Sequence, residues 1–240
     1  MKNIKYLLLL FIAILITGCG AKDGAEKLDR ALKNMDNVNS SKIESETNVA
    51  IEGYSIIMMT EEVTAENGES YNKTTTKMLG QESYSESYVM VDDTDIIVYS
   101  GTNGKDWTYT VYKDAGLDQN LTSSGLSDYT RNYKSVKEVS SDIKGHTKLE
   151  VTIDKDEMVK NLSSDSEEAN FKLSKDLVME VYIKDDYITK IKFNFEDELQ
   201  VAEDGTKTKY SFEFNISEHN NIDKINIPRE IIDNAKEANE

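Results

Sequence analysis

The 240-residue sequence predicts an α+β fold built on one large antiparallel sheet, and three observations carry that expectation. A single helical stripe stands near the start. From residue 43 the apolar period changes to two. The alternating segments are then separated by short turn signals, with no helix between most of them. Sequential hairpins favour a meander over βαβ units, whose parallel strands need long crossovers.

The elements follow in order. Residues 21–36, "AKDGAEKLDRALKNMD", place Ala25, Leu28, Leu32 and Met35 at three- and four-residue steps, the stripe of an amphipathic helix. In "KIESETNVAIEGY", Ile43, Thr47, Val49 and Ile51 share one side, against Lys42, Glu44, Glu46 and Glu52. That is a half-buried strand. Further strands are expected at 55–65, 70–79, 83–91, 95–100, 106–112, 147–153, 177–184, 187–196, 207–217 and 222–227. Asn67-Gly68, Asn103-Gly104 and Asp204-Gly205 are pairs that type I′ hairpin turns favour, and Asp185-Asp186 gives another tight connection.

Two regions break this pattern. Residues 113–140 are rich in Ser and Asp, with Tyr129, Tyr133 and Val136 at helix-like steps, which predicts a short helix under a loop. In residues 154–175, Asp154 is placed to cap a helix bearing Met158, Val159 and Leu162. At the end, Pro228 stands where a strand hands over to a helix.

The start of the chain speaks to location. "ILITGCGAKDG", residues 14–24, holds the only cysteine, Cys19. It has no disulfide partner and lies outside any patterned core segment. Before it come Lys2 and Lys5, then the apolar run Tyr6–Ile16, eleven residues and too short for the roughly 20 that span a bilayer. This is the shape of a signal peptide, and Ile16-Thr17-Gly18-Cys19 resembles the bacterial lipobox. The expected organisation is a leader at 1–18, a lipidated tether at 19–24 and one domain at 25–240. Lipidation at Cys19 would hold the chain on the extracytoplasmic face of the cell membrane. Stable anchoring of that kind takes more than one acyl chain.

Composition narrows the function classes. The formal charge is −17, and −19 once Lys2 and Lys5 leave with the leader. Such acidity excludes nucleic acid as a partner, because phosphates demand basic patches. A 38% hydrophobic content with 13 tyrosines is enough to bury a core.

No catalytic site is expected. The chain has no P-loop, GxGxxG or GxSxG, and His146 and His219 lack zinc-site spacing. Asp92-Asp93-Asp95, Asp154-Asp156-Glu157 and Glu167-Glu168 lack the offsets of a calcium loop, so neither a metal nor a cofactor is expected. Met58, Met59, Met90 and Met179, with Tyr84, Tyr88, Tyr99, Trp107 and Tyr109, are adaptable and amphipathic residues that suit either a core or a greasy ligand.

The strongest alternation lies near the C-terminus. "LVMEVYI" aligns Leu177, Met179, Val181 and Ile183; "ITKIKFNF" aligns Ile191, Phe193 and Phe195; "YSFEFNI" aligns Tyr210, Phe212, Phe214 and Ile216. With the lipobox, the helix "AEKLDRALKNMDNVNSSKIESE", the pair "VYIKDDYITKIKF" and the end "INIPREIIDNAKE", this order of elements resembles lipoproteins of the LolA/LolB/LppX-like superfamily. It is closest to uncharacterised lipoproteins of low-GC Gram-positive bacteria. The resemblance implies a strongly curved half-barrel with helices packed on its concave side. It further implies a cavity that binds a lipid or acyl chain. The apolar strand faces then supply Met179, Val181, Phe193, Phe195, Phe212 and Phe214 as the expected ligand-binding residues, and a monomer is expected. The alternative is an envelope interaction module with a filled core and no small ligand.

Overall fold

In the computed structural model, residues 23–51, 53–115, 133–164, 172–194, 199–200 and 207–238 are described. Helix α1 (residues 23–35) leads into a run of six strands. These are β1 (Ser41–Ile51), β2 (Tyr54–Thr64), β3 (Ser70–Met78), β4 (Gln81–Asp92), β5 (Asp95–Thr102) and β6 (Lys105–Tyr112). Then come β7 (Tyr133–Val139), β8 (Thr147–Ile153), α2 (Lys155–Ser164), β9 (Lys172–Leu173), β10 (Leu177–Lys184) and β11 (Tyr187–Asn194). The chain closes with β12 (Leu199–Gln200), β13 (Lys207–Ser217), α3 (Arg229–Asn234) and β14 (Lys236–Glu237).

The strands form one open, curved sheet in the order β14-β6-β5-β4-β3-β2-β1-β13-β11-β10-β8-β7, with β9 and β12 to one side. The expected α+β half-barrel architecture is therefore what the chain adopts. It consists of two antiparallel meanders joined where β13 lies against β1, with Ser45 opposite Phe214 and Thr47 opposite Phe212. One pair is parallel: β14 runs beside β6, Lys236 opposite Thr108.

Turn chemistry explains the tight hairpins. Asn103 and Gly104 both take positive φ between Thr102 and Lys105, as a type I′ turn requires. The Asn103 side chain also accepts a bond from the Tyr84 N–H at 2.9 Å. Asp185 and Asp186 do the same between Lys184 and Tyr187. Asn67-Gly68 differs from expectation. Only Gly68 has positive φ, and a longer loop forms in which Ala65 N–H bonds Glu69 O at 2.9 Å. Asp204-Gly205 lies outside the described residues.

Helix α1 packs across β7, β8, β10 and β11. Leu28, Ala31 and Leu32 join Val136, Leu149, Val151, Met179, Val181 and Ile191 in one buried cluster. Its polar edge is tied down by Lys27 to Glu138 at 2.7 Å and by Asn34 Nδ2 donating to Asp186 O at 3.0 Å. The helix already includes Asp23 and Gly24, so it takes in the end of the expected 19–24 tether. Gly24 is buried against Val136 and Leu149, and that contact draws the first turn onto the sheet.

Three expectations need correction. Tyr133 and Val136 belong to strand β7, not to a helix. A bulge between Tyr133 and Ser135 inserts one residue, so positions three apart reach the same side and imitate helical spacing. Tyr129 lies outside the described residues. Residues 222–227 form no ladder. They are an extended strap held by Glu66 N–H to Ile222 O and Ile225 N–H to Glu69 Oε2, both at 2.9 Å. The third concerns helix placement: α3 lies on the face of the sheet opposite α1, beside Tyr88 and Trp107. Asp154 caps as expected: its Oδ1 accepts from the N–H groups of Asp156 and Glu157 at the start of α2. A helix, α3, does follow Pro228, but what leads into it is the strap and not the expected strand.

Candidate ligand-binding face

Strand register places the apolar residues of the C-terminal meander on the side that α1 covers. One cross-strand row runs Met179, Phe193, Phe212, Thr47, Met58, Thr76, Ser83. The next runs Val181, Ile191, Phe214, Ser45, Thr60, Thr74, Ser85, Thr102. Both rows begin with buried apolar side chains, pass through aromatic rings and end in hydroxyl-bearing side chains, with Met58 interrupting the first. Side chains opposite one another in a ladder share a face, so this is a gradient on a single surface.

The gradient sorts the expected site residues. Met179 and Val181 are 1% and 0% exposed and lie in the packed cluster beneath α1. Phe193, Phe212 and Phe214 are half-buried at the margin of that cluster. Their rings form a stack: Phe193 to Phe212 at 4.7 Å, Phe193 to Phe214 at 6.3 Å and Phe212 to Phe214 at 6.5 Å. Tyr210 extends it, parallel to Phe212 at 6.0 Å. Phe195 lies outside the described residues, as does Cys19.

The other end of the gradient is polar and carries carboxylates but no ammonium or guanidinium group in its lining. Asn72, Ser85, Ser87, Ser100, Thr102 and Thr108, with the carboxylates of Glu86 and Asp106, line a depression of about 380 Å³. Thr60 and Thr74 share a hydroxyl hydrogen bond at 3.2 Å. Glu62 stands on the same face, opposite Ile43 and Asn72, and burial pushes its carboxyl above the usual range. Sequence reasoning missed this half. In "SYNKTTTKM" both sides of the strand are polar, so the period of two carries no hydrophobic contrast.

On the reverse of this face lie Lys190 and Lys192 with Glu213, and Lys190 Nζ reaches Glu213 Oε1 at 2.6 Å. The pairing holds the Glu213 carboxyl below its usual range. The mixed set of methionines and aromatics is split by the sheet: Met58 and Met179 share the α1 side, whereas Met59, Met90, Tyr88, Tyr99, Trp107 and Tyr109 face the other way. Of the acidic clusters, Glu167-Glu168 lies outside the described residues, and the other two serve local structure. Asp95 accepts from Asp114 N–H at 3.1 Å, and Asp154 caps α2. Among the described residues no group of three or more His, Cys, Asp or Glu is set to hold a metal.

No described protein family and no curated protein matches the sequence. The fold is similar to that of LprF from Mycobacterium bovis. That likeness has 12% identity and a TM-score of 0.48, covering 88% of this chain and 98% of LprF. A DUF1329 family protein from Desulfovibrio piger matches at 11% identity over 80% of this chain and 92% of its own, with a TM-score of 0.22. At these values the likenesses concern the course of the chain and carry no functional argument. None of the described helices is long and apolar enough to cross a membrane.

Proposed function

We propose that this chain is an extracytoplasmic protein anchored through Cys19 that holds an apolar, lipid-like ligand on the α1 side of its sheet. The observation that carries the reading is the half-buried stack of Phe193, Phe212, Phe214 and Tyr210 at the edge of a sealed core. An acyl chain laid on those rings would remove apolar area from water at roughly 25 cal/mol per Å². Met179 and Val181 back the wall, and Phe195 belongs to the same alternation in the sequence. The hydroxyl-lined end of the face presents carboxylates and no cation, so it suits an uncharged polar end of an amphiphile better than an anion.

The sealed packing of Met179 and Val181 favours one competing reading, an interaction module of the envelope that binds no small ligand. Titration with a fluorescent fatty acid separates the two. Saturable binding that weakens in Phe212→Ser and Phe214→Ser, with both variants still folded, supports the carrier. A wild-type protein that shows no saturable binding removes the carrier and leaves the interaction module.

A further inference from the structure

A second cleft has its aromatic floor on the other face, and the lipid reading makes no use of that floor. The cleft has a volume of about 780 Å³ and opens between the β5–β6 hairpin and α3. Its floor is aromatic. Trp107 and Tyr88 stand with centroids 5.9 Å apart, and the indole lies flat on the strand at Gly101. A glycine inside a strand often marks a close approach of this kind. With one face of the indole against the backbone, the other is presented to the cleft.

The rim is polar and of both signs. Asp106 and Glu230 supply carboxylates, Lys105 and Lys236 supply ammonium groups, and Asn234 adds an amide; a third carboxylate, Glu86, is already engaged by the Tyr71 hydroxyl at 3.1 Å and by Lys73 at 3.4 Å. Among the described residues Lys105, Asp106, Glu230 and Lys236 form no ion pair with one another. Asp106 sits at positive φ (53°) where the β5–β6 register slips, and a bulge at such a point re-aims a side chain.

We infer that this cleft is a binding site for a neutral saccharide. The two ammonium groups oppose a cationic ligand, and the carboxylates oppose an anionic one. An acyl chain would strip water from the whole rim without returning a hydrogen bond, which is costly. A sugar ring meets every part of the surface. Its C–H face packs on the indole and phenol rings, and each hydroxyl both donates and accepts. The volume falls in the range of roughly 300–1,000 Å³ that small-ligand sites occupy. The phenylalanine wall lies on the opposite side of the sheet and takes no part in the cleft, although Glu86, Asp106 and Thr108 also line the polar depression at the far end of that side.

Trp107 is the only tryptophan in the chain, so emission excited at the red edge of the tryptophan band, where the 13 tyrosines do not absorb, reports from the floor of the cleft. The experiment titrates the purified full-length protein, in a detergent that carries no sugar, with chitotriose, cellotriose and maltotriose. A saturable change in tryptophan emission with at least one of them is the expected result. By calorimetry, Trp107→Ala and Asp106→Asn should bind that sugar at least about tenfold more weakly, while Phe212→Ser binds it as the wild type does. Asp106 is exposed on a hairpin, so its variant keeps the test valid if Trp107→Ala fails to fold. The inference is overturned if none of the three sugars gives saturation. It is also overturned if tetramethylammonium or citrate saturates the signal at lower concentration than any sugar, or if a folded Asp106→Asn binds unchanged.

Discussion

The Trp107 indole lies directly over Gly101: three of its ring atoms stand 2.6, 2.7 and 2.9 Å from where a β-carbon would be. The glycine's φ is ordinary for a strand, so the requirement is for space and not for an unusual backbone. Gly101→Ala must therefore push the ring away. Overpacking of this kind costs about 1–3 kcal/mol. We expect a lower denaturation midpoint together with a red-shifted tryptophan emission. Unchanged emission would mean that the ring does not rest where the structure places it.

Met179 and Phe212 share one cross-strand row but differ in what covers them, and truncation should separate them. Met179→Ala removes a sealed side chain and should cost about 2–5 kcal/mol. Phe212→Ala removes a half-buried ring and should cost less while weakening fatty-acid binding more. Val181→Trp adds volume where there is no room and should destabilise by about 1–3 kcal/mol. Equilibrium urea unfolding of the three variants checks the order.

His219 gives the fold an acid-sensitive contact. Its imidazole stacks on Tyr187 at 4.9 Å and lies 3.2 Å from Ile188 O. Burial holds it below its ordinary value of 6.5, with the Ile188 carbonyl opposing that effect. The unfolded chain takes up a proton that the folded chain resists. Stability is thus fully present above 6.5 and falls as pH drops from there through the lowered folded value. His219→Gln should flatten this slope, measured as urea midpoint against pH.

Glu62 should act in the reverse sense. Burial raises its carboxyl above 4.5 in the folded state. Folding then favours the protonated form, so its contribution improves as pH falls from above the raised value down to 4.5. Glu62→Gln should be more stable than the wild type at neutral pH, and the difference should shrink in acid.

The anchor is tested on the precursor. Cys19→Ser should abolish incorporation of labelled fatty acid, because no second cysteine exists to receive it. Labelling of the variant at the wild-type level would remove Cys19 from that role.

What the sequence by itself determined were features that neighbours in the chain decide. The alternation of Leu177, Met179, Val181 and Ile183 sets which side of β10 is apolar, and Asp185-Asp186 sets the turn that follows, because both depend on a few consecutive residues. Asp154 could be read as a cap for the same reason: its acceptor meets donors two and three residues ahead. Tertiary structure decided what lies beside and above each strand. Ser45 meets Phe214 across 169 positions, and no local period announces that pairing, which joins the two meanders into one sheet. The bulge that puts Tyr133 and Val136 on one side depends on β8 opposite. Met179 and Phe193 carry the same alternation signal and pair with each other, yet one is sealed and the other half-open. Burial belongs to the covering element, here α1, and a strand's own residues specify only the face that needs a cover.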